Sequence, residues 1–395
     1  MESASWIDLL KLRVSYGEVG NDALLNGSSI SYYPWQSLYS IYQNGSEPGA
    51  LSDPLVGNYK LGWESNNSID VGLEFSMFES RLNGTFEFFR KESSNLLFRV
   101  PLPLSSGAKE QWRNIGSMYN QGFEISLDGD IIRTEDFSWN MNVNATFIKN
   151  KITKLPNGQE IVSGTKKLQE GRGIYDYWLK SYVGVDRNNG NAMYLVDESR
   201  ITDKNQDKAY IYDGMNVTND QTLAKYEFHG TALPVVYGGI SNTLNYKGFA
   251  FSFLMTYSLG GKTYDTNYAN IMSASAGKYG SALHTDMLKR WTAPGQETKV
   301  PAMNSAKASD YGAASSRWLV SSSYLALKSA SLSYSLPASV YNKLNLTGLR
   351  VYASGENLFI ATKRKGLDPQ ANFNGTTQNV YLPSRIITFG LNLSF

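Results

Sequence analysis

The last eleven residues, Arg385–Phe395, constrain the fold more than any other stretch. Ile387, Phe389, Leu391, Leu393 and Phe395 take every second position, with Thr388, Gly390, Asn392 and Ser394 between them. Period two means a strand with one apolar side and one small, polar side. Such a strand suits the closing strand of an outer-membrane β-barrel, whose apolar side meets lipid instead of a core. The plainer alternative is an edge strand of a soluble sandwich.

The same alternation recurs along the chain. Leu10, Leu12, Val14 and Tyr16 mark a first strand near 9–17; Ile69, Val71, Leu73, Phe75 and Met77 mark a second, joined by a turn at Glu79–Arg81 to a third through Phe86 and Phe88. Phe123, Ile125 and Leu127 alternate, as do Met141, Val143, Ala145 and Phe147. Strands near 175–185 and 192–197 flank the turn Asp186-Arg187-Asn188-Asn189-Gly190. Val235–Tyr246 and Gly248–Gly261 form a tight hairpin with Phe249, Phe251, Phe253 and Met255 on one side. Near 318–336 the parity slips between Leu327 and Leu332, which predicts a β-bulge around Ser329–Ser331. A strand through Leu349, Val351 and Ala353 precedes the last one.

The connections between these strands alternate in length. Short ones fall at 79–81, 130–136, 187–191, 247 and 337–345; long ones at 18–66, 92–115, 151–174, 198–234, 262–317 and 359–384. Long irregular loops are uncommon in compact soluble domains. Strict alternation with short turns puts all of them at one end of an up-and-down sheet, the asymmetry of outer-membrane barrels. Composition agrees: 26 Tyr and 35 Gly with 18% charged residues describe turn-rich β structure. No run approaches the ~20 apolar residues of a membrane helix, which barrel strands do not need. Cysteine is absent, so disulfides and thiolate metal sites are excluded, and a net charge of +2 gives no pull toward nucleic acid. Residues 1–4 show neither the basic nor the apolar region of a signal peptide, so a barrel of this sequence is expected to be part of a longer exported chain.

These stretches resemble the C-terminal part of SusC/RagA-type TonB-linked outer-membrane proteins, the TonB-dependent receptors. The resemblance rests on L-K-L-R-V-S-Y-G-E-V-G-N-D at 10–22, L-G-W-E-S-N-N-S-I-D-V-G-L-E-F at 61–75 and N-I-G-S-M-Y-N-Q-G-F-E-I-S-L at 114–127. It continues through L-P-V-V-Y-G-G-I-S-N-T-L-N-Y-K-G-F at 233–249, S-L-G-G-K-T-Y-D at 258–265, R-W-T at 290–292, L-R-V-Y-A-S-G-E-N-L-F at 349–359 and G-L-D-P at 366–369. The resemblance implies a roughly 22-stranded barrel with a plugged lumen. It also implies import of large nutrients, oligosaccharide or peptide, with a SusD-like lipoprotein as external lid. TonB would act through an N-terminal box that these residues do not contain, and outer-membrane lipid would surround the strands. The expectation is therefore all-β: the C-terminal portion of an antiparallel up-and-down transmembrane β-barrel, about twelve strands, without the plug domain, its first and last strands each lacking one neighbour. The setting implied is the outer membrane of a Gram-negative bacterium.

Catalysis is not expected. His229 and His284 are the two histidines, both in long connections, and Asp70 and Glu74 fall on the polar side of a strand. Asp203-Lys204-Asn205-Gln206-Asp207 begins like a calcium loop, but Lys208 stands where glycine is required. No metal or cofactor is expected. For cargo, Trp35, Tyr39, Tyr42, Trp112 and Trp291, with Tyr32 and Tyr33, offer flat rings that stack on sugars and peptides. The reading preferred for these aromatics is loop packing or an outer aromatic girdle. A soluble or surface-attached β protein that binds glycans without transport is the competing class, and it would bury the apolar sides of the strands. A glycosidase would need convergent carboxylates, and none stand out.

Overall fold

The computed structural model describes residues 5–22, 25–26, 29–30, 32–45, 47–52, 55–103, 105, 109–273, 282–371, 374–378 and 380–395. Parts of the long stretches 18–66, 92–115, 262–317 and 359–384 therefore lie outside the described residues. Ten long strands carry the fold: β1 (Ile7–Asn21), β2 (Glu64–Met77), β3 (Leu82–Ser94), β4 (Ser117–Arg133), β5 (Phe137–Lys154), β6 (Val236–Tyr246), β7 (Phe249–Leu259), β8 (Tyr324–Ser335), β9 (Gly348–Thr362) and β10 (Ile386–Ser394). They form one sheet in chain order. The chain divides into two compact units, the first holding β1–β4 with most of β5, the second β6–β10 with their connections.

In the first unit, ladder register places partners on a common side. Leu12, Leu73, Phe86 and Ile125 form one cross-strand row, and Val14, Val71, Phe88 and Phe123 the next. Between them run Lys11, Glu74, Thr85 and Ser126, then Arg13, Gly72, Glu87 and Glu124. Ion pairs bind the polar rows crosswise, Lys11–Glu74 at 3.6 Å and Arg13–Glu87 at 3.5 Å. The apolar rows stay open: Leu12, Val14, Leu73, Phe86 and Phe123 are all exposed.

The second unit repeats the arrangement. Tyr246, Phe249, Tyr334, Val351 and Leu391 make one row, and Leu244, Phe251, Leu332, Ala353 and Phe389 another. Thr243, Ser252, Ser331, Ser354 and Thr388 line the other side. Here too Tyr246, Phe249, Phe251, Leu332, Val351, Leu391 and Phe389 are exposed, the last at 78%. The expected parity slip is present, one residue from its predicted place. The register shifts between Leu327 and Ser329, so Leu327 opposes Met255 while Leu332 opposes Phe251. The bulge thus returns Leu325, Leu327 and Leu332 to one side of β8. Phe249, Phe251, Phe253, Met255, Leu391 and Leu393 all share that side, as their parity predicts. On the polar side Tyr352 lies over Gly390, where any Cβ would sit 2.3 Å from its ring.

Among the described residues the long strands are ten, not twelve. Residues 175–185 and 192–197 do not join the large sheet. They form Asp176–Lys180, Tyr182–Val185 and Ala192–Leu195, in two separate four-stranded sheets completed by 161–163, 166–168, 209–212, 215–218 and 226–231. At four or five residues each they are too short to cross hydrocarbon, which takes about 9–11. Nor do they turn their apolar residues outward as the long strands do: Tyr177, Leu179, Met193 and Tyr194 are buried. The turn at 187–191 belongs inside one connection, 155–235, which absorbs both 151–174 and 198–234. Losing two successive antiparallel strands leaves the long–short order of the rest unchanged.

Connections that share an end also touch within each unit. In the first, Leu55–Val56 pairs with Glu110–Gln111. In the second, Lys262–Tyr264 pairs with Leu319–Ser321, Tyr264 bridges Thr376, and Lys180 bridges Ser315. The short turns meet opposite them, Lys247 Nζ lying 3.3 Å from Asp136. Among the described residues β1 pairs only with β2, and β10 only with β9.

Candidate functional site in the long connections

The long connections of the second unit build their own core. Tyr177, Leu179, Tyr264, Ala269, Met272, Met287, Val300 and Trp318 pack together, with Ala192, Tyr194, Ala224 and Ala313 beside them. Three connections, 155–235, 260–323 and 363–385, contribute to or contact this body. Tyr177 is its tie point: its hydroxyl reaches the carbonyls of Lys262, at 2.9 Å, and Gly375. Burial drives that phenol well above its ordinary pKa, so it stays a donor. Segment 374–377 is held like an added strand, Tyr264 N to Gly375 O at 2.8 Å and Thr377 N to Tyr264 O at 3.0 Å. Asp265 caps the following helix through the Tyr268 N–H, 3.0 Å, and its other oxygen lies 3.2 Å from Arg364. Lys166, over the Tyr177 ring at 4.5 Å, is pulled down to about 8 by burial.

The aromatic candidates separate into two kinds. Trp112 is buried, with Arg99 over its ring at 4.9 Å and its carbonyl accepting from Asn58 at 2.8 Å. Trp291 donates to Arg187 O at 3.0 Å and packs on Gly190, where φ is +73° and a Cβ would lie 2.4 Å from the indole. Both therefore serve loop packing. Trp35, Tyr39 and Tyr42 are exposed. Trp35 meets Tyr59 at 5.8 Å; Tyr39 and Tyr42 sit on a hairpin, Tyr39–Asn44 with Glu47–Ser52. Tyr32 and Tyr33 are exposed beside them. These five remain available to a ligand.

One aromatic group escapes sequence reading. Trp178 stands 4.8 Å from Phe228 and 6.2 Å from Tyr226, with Lys167 over its ring at 4.0 Å. They share the side of the 161–231 sheet opposite Tyr177 and Leu179. The signal is Tyr226-x-Phe228 alternation set against the Tyr177-Trp178-Leu179 run, and it becomes legible only once the pairing is known.

The other chemical candidates are occupied structurally. Ser181, His229 and Glu227 come together, Ser181 Oγ lying 3.0 Å from His229 Nε2 and 2.7 Å from Glu227 Oε2. A nucleophile–base pair would place the carboxylate on the far ring nitrogen. Here the serine, 4% exposed, donates to the carboxylate itself. Burial, aided by Lys262 and opposed by Glu227, holds His229 below its ordinary value. His284 Nδ1 caps a turn by accepting from Asp286 N at 3.0 Å. In the Asp203–Asp207 run, Asn205 Oδ1 accepts from Thr202 N at 2.7 Å, and Lys208 binds Asp220 at 2.8 Å. Burial would raise the Asp220 carboxyl, but the Lys208 and Thr222 hydrogen bonds outweigh it and bring it down to about 2. Among the described residues no three His, Asp or Glu side chains converge as a metal site.

Comparison with known proteins gives a consistent result. Residues 3–358 match a family model described as TonB dependent receptor-like, beta-barrel. TonB-dependent receptor P3 of Formosa agariphila is 28% identical over 416 aligned positions, covering 100% of this chain and 40% of that protein. TonB-dependent receptor SusC of Bacteroides thetaiotaomicron is 27% identical, covering 98% and 37%. The solved structure of the RagAB peptide transporter superposes with a TM-score of 0.79 at 26% identity, covering 99% of this chain and 41% of that one. The chain thus spans about two fifths of the length of the relatives it matches.

Proposed function

The chain belongs to the family of TonB-dependent-receptor-like β-barrels, and from that premise we propose that it supplies later strands of an outer-membrane importer of large nutrients, peptide or oligosaccharide. The observation that carries this reading is a set of exposed apolar residues in cross-strand rows, in register within each unit, with polar rows behind them. Lipid satisfies such a surface; water does not. The soluble glycan-binding alternative would cover those rows, yet Leu12, Val14, Phe86, Phe123, Phe251, Leu332, Phe389 and Leu391 are exposed.

On this reading the connections 22–63, 95–116, 155–235, 260–323 and 363–385 are extracellular, and the turns near 78–81, 134–136, 247–248 and 336–347 periplasmic. The long connections, prefolded on their own core, form the platform over which a SusD-like lipoprotein closes. TonB engages a region outside these residues. Peptide is the favoured cargo, on the likeness to a peptide transporter; Trp35, Tyr39 and Tyr42 are the exposed rings offered to it, and no cofactor or catalytic step is invoked. The test is deletion of the full receptor gene in its host, followed by growth on mixed peptides and on mixed glycans. Loss of growth on one class, restored by the intact gene, and co-purification of a lipoprotein with the tagged receptor are the expected results. Unchanged growth on both, with no lipoprotein recovered, contradicts the reading.

A further inference from the structure

β9 outruns its neighbour. The last β9–β10 pair is Glu356 with Ile386, yet β8 continues to pair with β9 as far as Tyr324 with Thr362. The stretch 357–362 therefore has a strand on one side only. Along its other side the chain returns through 365–370 and 382–385, and these segments border an open cleft of about 570 Å³. That volume lies in the range of small-ligand sites.

Its lining is strongly unbalanced in charge. Lys328, Lys363, Lys365 and Arg385 face a single carboxylate, Asp368. Asp368 is itself engaged: its Oδ1 accepts from Gln370 N at 2.9 Å and Gln370 Nε2 at 3.0 Å. Among the described residues, no ion pair or hydrogen bond occupies any of the four cationic side chains. The middle of the Lys363-Arg364-Lys365 run behaves differently. Arg364 lies 3.2 Å from the buried Asp265 and 3.6 Å over the Tyr268 ring. Arg364 thus anchors the run to the loop core, while the lysines on either side of it line the cavity. A second cavity of about 240 Å³ shares Lys365, Leu367, Asp368 and Leu382 and extends the cleft to Tyr268 and His284.

Four uncompensated cations around one solvent-open cleft call for oxyanions. We propose that this cleft binds an acidic oligomer through its carboxylate or sulfate groups, as the anion-selective part of the importer's cargo path. The proposal rests on the import reading and adds a charge class to it.

The test is calorimetric titration of the full receptor in neutral detergent with triglutamate, and with triglutamine of equal length. Triglutamate is expected to bind, and to bind more weakly as sodium chloride rises through the range where exposed charges are screened. Triglutamine, and triglutamate with the double variant Lys363→Glu, Lys365→Glu, are each expected to bind at least about tenfold more weakly. The double variant Lys363→Gln, Lys365→Gln should fall between. Both lysines are exposed, and the heat-dependent gel mobility of each variant confirms its fold. Equal affinity of wild type and Glu variant for triglutamate overturns the proposal, as does absence of triglutamate binding. A cleft that takes dihexanoyl phosphatidic acid but not triglutamate overturns it in favour of lipid. A receptor that supports growth on neutral cargo yet fails these titrations loses the cleft and keeps the import reading.

Discussion

The strands and the long connections use the same residues in opposite ways. In the large sheet Leu12, Val14, Phe123, Phe389 and Leu391 are exposed, each between 59% and 78%. In the connections of the second unit Tyr177 and Tyr194 are fully buried and Trp318 is 1% exposed. One region is stabilised by backbone ladders and polar-row contacts, with its apolar residues turned outward. The other is an ordinary water-excluding core assembled from loops. An outward apolar surface is stable only in contact with lipid, whereas the loop core needs water around it. The difference shows that these connections are folded parts with their own core.

Substitutions can break that contrast, beginning with the largest effect. Trp318→Ala removes the largest buried side chain of the loop core and its hydrogen bond to Ala313 O. A cost of about 3–5 kcal/mol is expected, read as rapid proteolysis within 155–323 of the full receptor while its heat-resistant strands persist. Protection equal to wild type would mean the connections do not depend on this core. Phe389→Arg should cost about 2–4 kcal/mol in a bilayer if the residue sits near the midplane. A soluble surface would tolerate it within about 0.5 kcal/mol, so equilibrium unfolding from lipid vesicles separates the two settings. Tyr177→Phe removes the hydroxyl that reaches the carbonyls of Lys262 and Gly375, the second of which keeps the Tyr264 N–H, at about 1–3 kcal/mol. Faster hydrogen exchange at the Tyr264 and Thr377 amides, with the large sheet unchanged, is the expected sign. The smallest effect is at the β2–β3 turn, where Phe78, Glu79 and Ser80 all have φ near +60°. Glu79→Gly relieves one left-handed residue and should raise unfolding stability by up to about 1 kcal/mol; a loss would mean the Glu79 side chain holds the turn.

Strand centres were legible because apolar and polar residues alternate there without interruption. Strand ends were not. β1 continues through Glu18–Asn21, where the alternation of Leu10 to Tyr16 has stopped, because Glu64–Asn67 opposite supply ladder partners. The bulge in β8 was legible to within one residue, since it must restore the parity of Leu325 and Leu332. The pair of strands counted in excess came from Tyr177–Leu179 and Met193–Leu195, β-rich runs with bulky residues on both sides. Met193–Leu195 pairs locally with Tyr182–Val185, but what buries these runs lies far along the chain, as Tyr177 with Gly375 shows, and no local pattern reports such contacts. For the same reason the aromatic candidates could be named but not sorted. Trp112 and Trp291 are packed by Arg99 and Gly190, while Trp35, Tyr39 and Tyr42 stay open.

The most direct test of the account is a labelling scan on β7 and β10, where these 395 residues hold no cysteine to compete. Single variants Phe251→Cys, Phe253→Cys, Phe389→Cys and Leu391→Cys, with Ser252→Cys and Thr388→Cys, are spin-labelled in the full receptor in lipid vesicles. The account predicts that labels at 251, 253, 389 and 391 collide with lipid-dissolved oxygen, while those at 252 and 388 collide with a water-soluble nickel chelate. The reverse pattern, or odd-numbered labels shielded from both reagents as in a packed core, would contradict it.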